Sequence, residues 1–431
     1  MDFIADLHTH SHYARATSKA CCLEELQHWA QLKGVRIVGT GDFTHPQWFQ
    51  ELERKLEPAE PGLFRLRAEF ARHADAEVPE SCRSEVRFIL SAEISSIYKR
   101  DERTRKVHSL LLVPDFAAAS EINTKLAALG NIASDGRPIL KLDPRDLLKI
   151  TIEASADAIF IPAHIWTPWF SMLGSKSGFD SPAECFGDME RHIFAVETGL
   201  SSDPPMNWRV SSLDRYTLLS NSDLHSPRNL ARNANLFRCE PDFFAIRDAL
   251  RDKDPERLGG TIDLFPEEGK YHLDGHRKCG VCMVPEESLA RDNLCPACGK
   301  PLVLGVLHRV MALADRDANI RPANAIDHEY IIPLPELLGE LLKRGPNTKT
   351  VQRVYHALLA KHGCELRILR ELPTESLGGC DAPLFQEAIR RVRERRVVRQ
   401  AGFDGQYGVV HVFHPGEMDK LLQTSGISQD E

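Results

Sequence analysis

The chain has 431 residues, of which 42% are hydrophobic and 27% are charged. This length exceeds what one ordinary hydrophobic core organises, so we expect two or three domains. No apolar run approaches the roughly 18 residues of a membrane span, and no signal peptide is evident, so the expected location is the cytoplasm. The net charge of −8 argues against indiscriminate coating of nucleic acid but is compatible with a local basic face.

The first half of the chain alternates short β-rich apolar runs with helical patterns. The sequence predicts strands at residues 3–7, 35–40, 86–92, 107–113, 158–163, 193–196 and 216–220. Between the first two, residues 18–34 predict an amphipathic helix with Ser18 as its N-cap and Gly34 as its end. Strands that alternate with helices indicate parallel pairing. Seven of them without an evident edge strand predict a closed or nearly closed α/β barrel.

Four of the eleven cysteines form a tight cluster after this region. Cys279 and Cys282 form one C-x2-C pair, and Cys295 and Cys298 form a second pair twelve residues later. This spacing, with small residues or glycine in both pairs, predicts a structural four-thiolate zinc site, and the alternative is four free thiols. The other cysteines are scattered, so no disulfide framework is expected. We place domain boundaries near residues 265 and 308, with a mainly helical domain at 309–431.

The predicted strands share a chemical feature at or near their C-terminal ends. Each delivers a histidine or a carboxylate there, namely His8, His10, Asp42, His45, Glu93, His108, His164, Glu197, Asp223 and His225. One such histidine alone is usually structural, but α/β barrels build their active sites at this rim. Mixed imidazole and carboxylate ligands suit two or three divalent ions, such as zinc, magnesium or manganese. Neighbouring ions can activate water against a phosphoester, so the pattern predicts a metal-dependent hydrolase.

The segments DLHTH, GTGDFTH, SAE and SDLH, with the isolated histidines, resemble the PHP (polymerase and histidinol phosphatase) superfamily over residues 1–265. The resemblance implies a distorted seven-stranded α/β barrel that holds two or three metal ions. It implies a first ion bound by His8, His10, Glu93 and Asp223. Glu93 would then bridge to a second ion held by His108 and His164.

The resemblance is less complete for a third ion. Ala16 stands where the superfamily usually supplies a further ligand. Asp42 and His225 are the plausible ligands of a third ion. Glu197 either binds an ion or orients the loop behind it.

Longer stretches narrow the resemblance to one family. PAHIWTPWFSMLGSKSGFDS, ETGLSSDPPMNWRVS, SNSDLHSPRNLARNANLF and GTIDLFPEEGKYHLDGHRKCGVC resemble endonuclease Q, and this resemblance runs through most of the chain. It implies a PHP nuclease domain at 1–265, a four-cysteine zinc module at 266–308 and a helical DNA-binding domain at 309–431. It also implies nicking of double-stranded DNA on the 5′ side of deaminated bases, such as uracil and hypoxanthine, or of abasic sites. The products would carry a 3′-hydroxyl and a 5′-phosphate.

Loop residues near the predicted ligands are candidate DNA contacts. An aromatic group follows His164 and suits stacking on a base turned out of the helix, although loop packing is the alternative; it comprises Trp166, Trp169 and Phe170. The candidate phosphate contacts are Lys176, Arg209, Arg228 and Arg232. Six arginines at positions 390–399 form either a basic helix along DNA or an ordinary solvated face. The C-terminal tail shows no evident sliding-clamp motif, so neither a clamp nor a membrane is an expected partner.

Three functions remain open from the sequence. They are a lesion-specific DNA repair endonuclease, a PHP-type small-molecule phosphomonoesterase and a non-catalytic DNA-binding scaffold. A phosphomonoesterase would not need a zinc module or a helical extension, and the near-complete ligand set counts against a scaffold. The sequence therefore favours the endonuclease, acting at the nucleoid of the cytoplasm.

Overall fold

The computed structural model describes residues 2–424. Residues 425–431, part of the tail in which no sliding-clamp motif was expected, lie outside the described residues. No helix within 2–424 combines the length and the apolar character needed to cross a membrane.

Strands and helices alternate along the first 260 residues, and helices dominate after residue 330. The strands are β1 Phe3–Asp6, β2 Ile37–Gly39, β3 Leu56–Pro58, β4 Phe64–Leu66, β5 Arg87–Arg100, β6 Arg103–Val113, β7 Ile139–Leu140, β8 Ile159–Pro162, β9 Ala195–Glu197, β10 Thr217–Leu219, β11 Ala234–Phe237, β12 Leu258–Asp263, β13 Asp274–His276, β14 Val281–Met283, β15 His328–Tyr330, β16 Val398–Gln400 and β17 Val409–His411. The helices are α1 Leu23–Lys33, α2 Pro46–Lys55, α3 Ala68–Asp75, α4 Phe116–Leu129, α5 Pro144–Ala154, α6 Pro182–Phe186, α7 Pro204–Asn207, α8 Phe243–Asp252, α9 Pro285–Leu289, α10 Val306–Leu313, α11 Leu334–Leu341, α12 Lys349–His362, α13 Phe385–Arg393 and α14 Glu417–Thr424.

A mixed sheet forms the centre of this α/β fold. Its order is β15-β12-β11-β1-β2-β5-β4-β3, with β6 hydrogen-bonded to β5 and β8. The neighbours β1, β2 and β5 are parallel, as expected, but β6 is antiparallel to both β5 and β8. The expectation of uniformly parallel strands is therefore wrong at β6. The reason is a two-residue turn at Asp101 and Glu102, whose φ angles of 49° and 60° return the chain directly beside β5.

Helix α1 differs from its prediction at one end. It ends at Gly34, where φ of 87° places the backbone in the left-handed region, as predicted. It begins only at Leu23, because Ser18 donates its backbone N–H to His225 O at 2.8 Å and belongs to a turn instead. That turn ties the segment after β1 to the segment after β10, which brings two parts of the predicted site together.

One apolar cluster collects side chains from each of the seven predicted strands. Its members from the seven predicted strands are Phe3, Ala5, Leu7, Ile37, Ile89, Leu110, Leu112, Ile159, Ile161, Ala195 and Leu219. Helix α8 packs on the same cluster through Phe243 and Ile246. Strands β1, β2, β5 and β8 run in one direction. The residues in the C-terminal halves of these strands, and the residues that follow them, therefore lie along one edge of the sheet, above this cluster.

The C-terminal helices pack against α1 around one buried carboxylate. Lys33 Nζ lies 2.9 Å from Glu365 Oε2, and both side chains are buried. Glu365 also accepts hydrogen bonds from Leu334 N at 3.0 Å and from Tyr355 Oη at 2.9 Å. Each charged or polar group of this cluster is thus paired, which a buried ion pair requires to be tolerated. Glu365 therefore joins α1, α11 and α12.

Candidate metal centre and adjoining cavity

Four side chains from distant parts of the chain converge at the C-terminal edge of β1. His8 and His10 follow β1, Glu93 lies in β5 and Asp223 follows β10. His10 Nε2 is 3.1 Å from Asp223 Oδ1 and 3.3 Å from Glu93 Oε2. His8 Nε2 is 3.6 Å from the same two oxygens and is buried without a hydrogen-bond partner. Two imidazole nitrogens and two carboxylate oxygens around one point are suitable donors for a divalent ion.

Glu93 connects this group to a second one. Its other oxygen, Oε1, is 2.7 Å from His108 Nδ1 and 3.1 Å from His164 Nε2. The two imidazole nitrogens are 3.3 Å apart, and all three ligand atoms lie within 4.8 Å of one another. The carboxylate therefore presents one oxygen to each group, which is the arrangement that a bridge between two ions requires.

Glu197 lies behind His8, away from the first group of ligand atoms. His8 Nδ1 is 3.0 Å and 3.1 Å from the two oxygens of Glu197. The same carboxylate accepts hydrogen bonds from His164 N and from Asn221 Nδ2, each at 2.8 Å. A carboxylate in this position fixes the tautomer and the orientation of a metal-binding imidazole. Of its two expected roles, the geometry favours orientation over direct binding.

Asp42 stands in the same relation to His10. Its Oδ1 is 3.0 Å from His10 Nδ1, and its Oδ2 accepts hydrogen bonds from Ser11 N at 2.7 Å and Ser11 Oγ at 2.6 Å. Both oxygens are engaged, and Asp42 is fully buried. The prediction treats Asp42 as a ligand of a third ion, whereas the structure gives it the orienting position behind His10.

Both carboxylates of the first group are held in the ionised state. Burial opposes ionisation of Glu93, but His108 and Arg137 outweigh it and hold the pKa of Glu93 well below its usual range. Burial is likewise outweighed at Asp223, chiefly by His8, so that its pKa also lies well below the usual range. Buried anionic carboxylates beside imidazoles form a site that favours cations.

Three residues of this edge have a left-handed backbone. The φ angle is 51° at Asp42, 28° at His164 and 46° at Asp223. Residues other than glycine rarely adopt this conformation, which costs about 1–3 kcal/mol each and concentrates at functional sites. The surrounding packing therefore holds these residues against a conformational cost, as expected for a site whose geometry matters.

Sequence reasoning missed one cationic residue of the site, Arg137, which lies between α4 and β7. Its Nη1 donates a hydrogen bond to Glu93 Oε2 at 3.1 Å, and its side chain lines the cavity above the ligands. The preceding Gly136 allows this approach, because a Cβ there would lie 2.3 Å from Asp42 Oδ2. The segment SDGRP gives only a turn signal, so no motif in the sequence connects Arg137 with the metal ligands.

His225 lies beside the first group and outside both sets of ligand atoms. Its Nδ1 is 2.8 Å from Asp223 O, and its ring centroid is 4.7 Å from that of His10. Ala16, which also lines the cavity, offers no side-chain donor. Within residues 2–424, the ligand atoms gather into the two groups that share Glu93, and Asp42 and His225 join neither. The described residues thus offer ligand groups for two ions.

A cavity of about 540 Å³ opens above the two groups. Its floor includes His108, and two of the predicted aromatic residues, Trp169 and Phe170, form part of its wall. The ring of Phe170 is 4.9 Å from that of His108, and Trp169 meets Tyr271 edge-on at 6.0 Å. Half-buried aromatic rings that line a cavity beside metal ligands are suited to stacking against an unpaired base or a sugar.

The other predicted DNA contacts fall in different places. Arg232 lines the cavity above the ligands, and Arg228 lines a smaller neighbouring cavity. Lys176 and Arg209 line neither of these two cavities. Trp166 is only 1% exposed, and its indole nitrogen donates to a buried asparagine side chain at 2.7 Å. Trp166 is therefore a core residue, in line with the loop-packing alternative.

The predicted zinc module brings three of its four cysteines together with a histidine. The group whose ligand atoms lie within 4.8 Å of one another is His276, Cys279, Cys295 and Cys298. Cys282 lies in β14, opposite Gly275 of β13, while His276 lies opposite Val281. Because neighbouring side chains of a strand face opposite sides, Cys282 points away from the side of His276. This differs from the predicted four-thiolate set.

Two turns of the same form supply the four residues of this group. HRKCG at 276–280 and CPACG at 295–299 each contain a ligand, two intervening residues, a cysteine and a glycine. Gly280 and Gly299 have φ angles of 64° and 68°, in the region that glycine adopts without strain. The first turn therefore begins at His276, three residues before the predicted C-x2-C pair of Cys279 and Cys282.

The six arginines of residues 390–399 have partners inside the protein. Four form ion pairs, which are Arg390–Glu387, Arg391–Glu387, Arg396–Glu394 and Arg399–Glu267. Arg393 donates to Leu369 O at 2.8 Å, and Arg395 lies over the ring of Tyr330 at 4.7 Å. These contacts favour a structural role over a row of free cations along DNA.

Comparison with known proteins gives matches along most of the chain. A family model described as the MJ0043 C-terminal domain matches residues 333–396. The uncharacterized protein MJ0043 of Methanocaldococcus jannaschii is 30% identical over 262 residues, a match that covers 59% of this chain and 32% of that protein. This chain therefore spans about a third of the length of that relative.

Two solved structures match nearly the whole chain. One is the lesion-specific endonuclease PfuEndoQ from Pyrococcus furiosus, with 30% identity, a TM-score of 0.81 and coverage of 95% of both chains. The other is endonuclease Q in complex with a 27-mer duplex substrate that has an abasic lesion at the active site. It matches with 30% identity and a TM-score of 0.82, covering 97% of this chain and 98% of that one.

Proposed function

The chain belongs to the endonuclease Q family, and we propose on that basis that it is a metal-dependent DNA endonuclease specific for damaged nucleotides. The observation that carries the proposal is the pair of ligand groups joined by Glu93 at the floor of an aromatic-lined cavity. A lesion-bearing duplex occupies the active site of the matching complex. We further propose cutting on the 5′ side of deaminated bases or abasic sites, with 3′-hydroxyl and 5′-phosphate ends.

The seven predicted strands are proposed to form a distorted barrel. Support comes from the apolar cluster that takes side chains from every one of them. Hydrogen bonds also connect the β9–β10 pair to the segments on either side of it, which follow β8 and β1. Ile165 N donates to Glu197 O at 3.0 Å on one side, and Leu7 N donates to Asn221 Oδ1 at 3.0 Å on the other. The division into domains at 1–265, 266–308 and 309–431 is part of the same proposal.

Six residues would hold two divalent ions in the proposed enzyme. The first ion would be bound by His8, His10, Glu93 and Asp223, and the second by Glu93, His108 and His164. When bound, such ions activate water and neutralise charge on a phosphodiester. Glu197 and Asp42 would hold His8 and His10 in their binding orientation through Nδ1.

The residues of the cavity would bind and position the damaged strand. Arg137 would donate hydrogen bonds to a non-bridging oxygen of the scissile phosphate, since its guanidinium lies directly above Glu93. Trp169 and Phe170 would stack against the displaced nucleotide. No side-chain nucleophile is needed for this reaction. Nucleotides that are abasic or weakly paired leave the helix at the lowest cost, which supports selectivity for lesions.

The group of His276, Cys279, Cys295 and Cys298 is proposed to bind a structural zinc ion. Three thiolates and one imidazole are a complete tetrahedral donor set, with no position left for a substrate. The Sγ of Cys298 already lies 3.6 Å from His276 Nδ1. Zinc would join the two turns and contribute folding free energy to a segment with a small apolar cluster.

A nicking assay tests the proposed activity. Asp223→Asn should abolish cutting of an end-labelled duplex with one abasic site in Mg²⁺ or Mn²⁺, because a neutral amide is a poor ligand. Glu287→Gln, an exposed acid of α9, is the matched control and should cut normally. Turnover of p-nitrophenyl phosphate without DNA cutting would instead favour a phosphomonoesterase. Duplex binding without cutting by the metal-loaded wild type would favour a scaffold.

A further inference from the structure

A buried asparagine, Asn221, lies between strand β10 and the proposed ligand Asp223 and is 1% exposed. Its Oδ1 accepts a hydrogen bond from Leu7 N at 3.0 Å, and its Nδ2 donates to Glu197 Oε1 at 2.8 Å. A backbone N–H can only donate, so the contact with Leu7 fixes which end of the amide faces β1. The amide therefore directs its donor, and not its acceptor, at the carboxylate.

A second asparagine holds Asn221 in this orientation. Asn235 of β11 donates from Nδ2 to Asn221 Oδ1 at 2.9 Å. The amide of Asn235 is itself fixed at both ends, because its Oδ1 accepts from Ser220 N at 2.9 Å and its Nδ2 donates to Ser220 O at 2.8 Å. Contacts from β1 and β11 thus hold the side chain of Asn221 in one position, with its donor on Glu197.

The carboxylate that Asn221 contacts touches both proposed ion groups. Glu197 Oε1 is 3.0 Å from His8 Nδ1, whereas His8 Nε2 faces the first group of ligand atoms. Glu197 Oε2 accepts from the backbone N–H of His164 at 2.8 Å, at a residue whose φ angle of 28° is left-handed. Within residues 2–424, Asn221 is the only hydrogen-bond donor to this carboxylate from outside the six proposed ligands.

On the basis of the proposed function, we propose that Asn221 is a positioning residue which, through Glu197, sets the affinity of the protein for both divalent ions. Its Nδ2 holds the carboxylate where one oxygen orients the imidazole of His8 and the other fixes the backbone of His164. Replacing a partner that stands behind metal ligands typically changes metal affinity about 10–100-fold. One hydrogen bond outside the ligand set would thus act on both ions together.

Other side chains behind the ligands contact one group each. Asp42 lies behind His10 of the first group, and Ser95 Oγ lies 3.1 Å from Nε2 of His108 in the second group. Replacing Ser95 should therefore weaken chiefly one ion, whereas replacing Asn221 should weaken both. This contrast separates an effect that passes through Glu197 from a local disturbance of one ligand.

Calorimetric titration of the full chain with Mn²⁺ tests the inference. Mn²⁺ suits sites with carboxylate ligands and is a poor match for the thiolates of the zinc group. Asn221→Leu keeps the approximate size of the side chain and removes the donor, so it should raise both dissociation constants about 10-fold or more. Ser95→Ala should raise chiefly one of them. Asn221→Ser, whose side chain is too short to replace the amide, takes the place of Asn221→Leu if circular dichroism shows that the latter is unfolded.

Asn233→Leu is the matched control for damage to the core. Asn233 is also 1% exposed, but it accepts from Leu264 N at 3.0 Å and donates to Ser220 Oγ at 2.6 Å rather than to Glu197. Its replacement leaves a buried backbone N–H without a partner, as Asn221→Leu does, so both variants should lower the melting temperature. Only Asn221→Leu should change the affinity for Mn²⁺.

The outcomes separate the inference from the nuclease proposal. A wild-type chain that binds fewer than two Mn²⁺ ions, or that fails to cut abasic DNA when loaded with them, would overturn the proposed function. Wild-type dissociation constants in Asn221→Leu, or a rise confined to one ion, would overturn the inference alone. An equal rise in Asn233→Leu would overturn it too, because the loss would then come from general damage to the core. An equal rise of both constants in Ser95→Ala would show that the ions are coupled without Glu197, which is also contrary to the inference.

Discussion

Replacing Arg137 tests whether a cation missed by sequence reasoning acts on the phosphate. The change is Arg137→Gln, which removes the charge and keeps a polar side chain. Nη1 lies 3.1 Å from Glu93 Oε2, and the side chain is 25% exposed. Loss of one donor to a developing charge costs about 10²–10³-fold in kcat. Because partial exposure weakens the interaction, we expect the nicking rate to fall about 10²-fold. This fall corresponds to a loss of about 2.7 kcal/mol of transition-state stabilisation.

The assay is single-turnover nicking of an end-labelled abasic duplex at saturating Mn²⁺, with metal affinity measured separately by calorimetry. Removing a positive charge beside the ligands should leave metal affinity unchanged or raise it. Arg137→Lys retains the charge without the guanidinium fork and should give an intermediate rate. If Arg137→Gln cut at the wild-type rate once Mn²⁺ is saturating, Arg137 would only orient Glu93 for metal binding, and the reasoning would be refuted.

Further predictions concern the zinc group, the core and pH. His276→Ala should lower the zinc content measured by mass spectrometry by about one ion per chain, whereas Cys282→Ala should retain it; the opposite pattern would restore the four-thiolate set. Trp166→Ala should lower the free energy of unfolding in urea by about 3–5 kcal/mol, while Trp169→Ala should change it little. Burial raises the pKa of Asp263 from 3.8 to about 7, so the folded state keeps a proton that the unfolded chain releases. Stability should therefore fall as pH rises from about 4 to about 7, and Asp263→Asn should reduce this slope in thermal melts; an unchanged slope would contradict the assignment.

The sequence predicted the strand positions better than their directions. Apolar β-rich runs mark all seven strands, because burial on both faces leaves a signal in the residue types. The direction of β6 depends on the turn at Asp101 and Glu102, which adopts a left-handed conformation without glycine or asparagine. The usual hairpin signal is therefore missing, and β5 and β6 extend as one long hairpin beyond the predicted runs.

The residues of the candidate site were also predictable only in part. Ligand-type residues recur in phase at strand ends, so sequence reasoning could group His8, His10, Glu93, His108, His164 and Asp223, and the structure brings these side chains together. It could not assign Asp42 and Glu197, because a carboxylate binds an ion or backs a histidine according to distances set by the whole fold. Arg137 comes from a segment with only a turn signal. Its role follows from the cavity that it lines.

The antiparallel direction of β6 is also what allows Glu93 to serve both ligand groups. In the hairpin register, Glu93 lies opposite Leu110 and Ser95 lies opposite His108. These four residues share one face, so His108 is the diagonal neighbour of Glu93 and reaches its Oε1 at 2.7 Å. If β6 were parallel to β5, it would need a crossover connection, and its C-terminal end rather than its middle would lie at the rim. The departure from the expected topology therefore places an imidazole from the middle of a strand against the shared carboxylate, and Ser95 holds its other nitrogen at 3.1 Å.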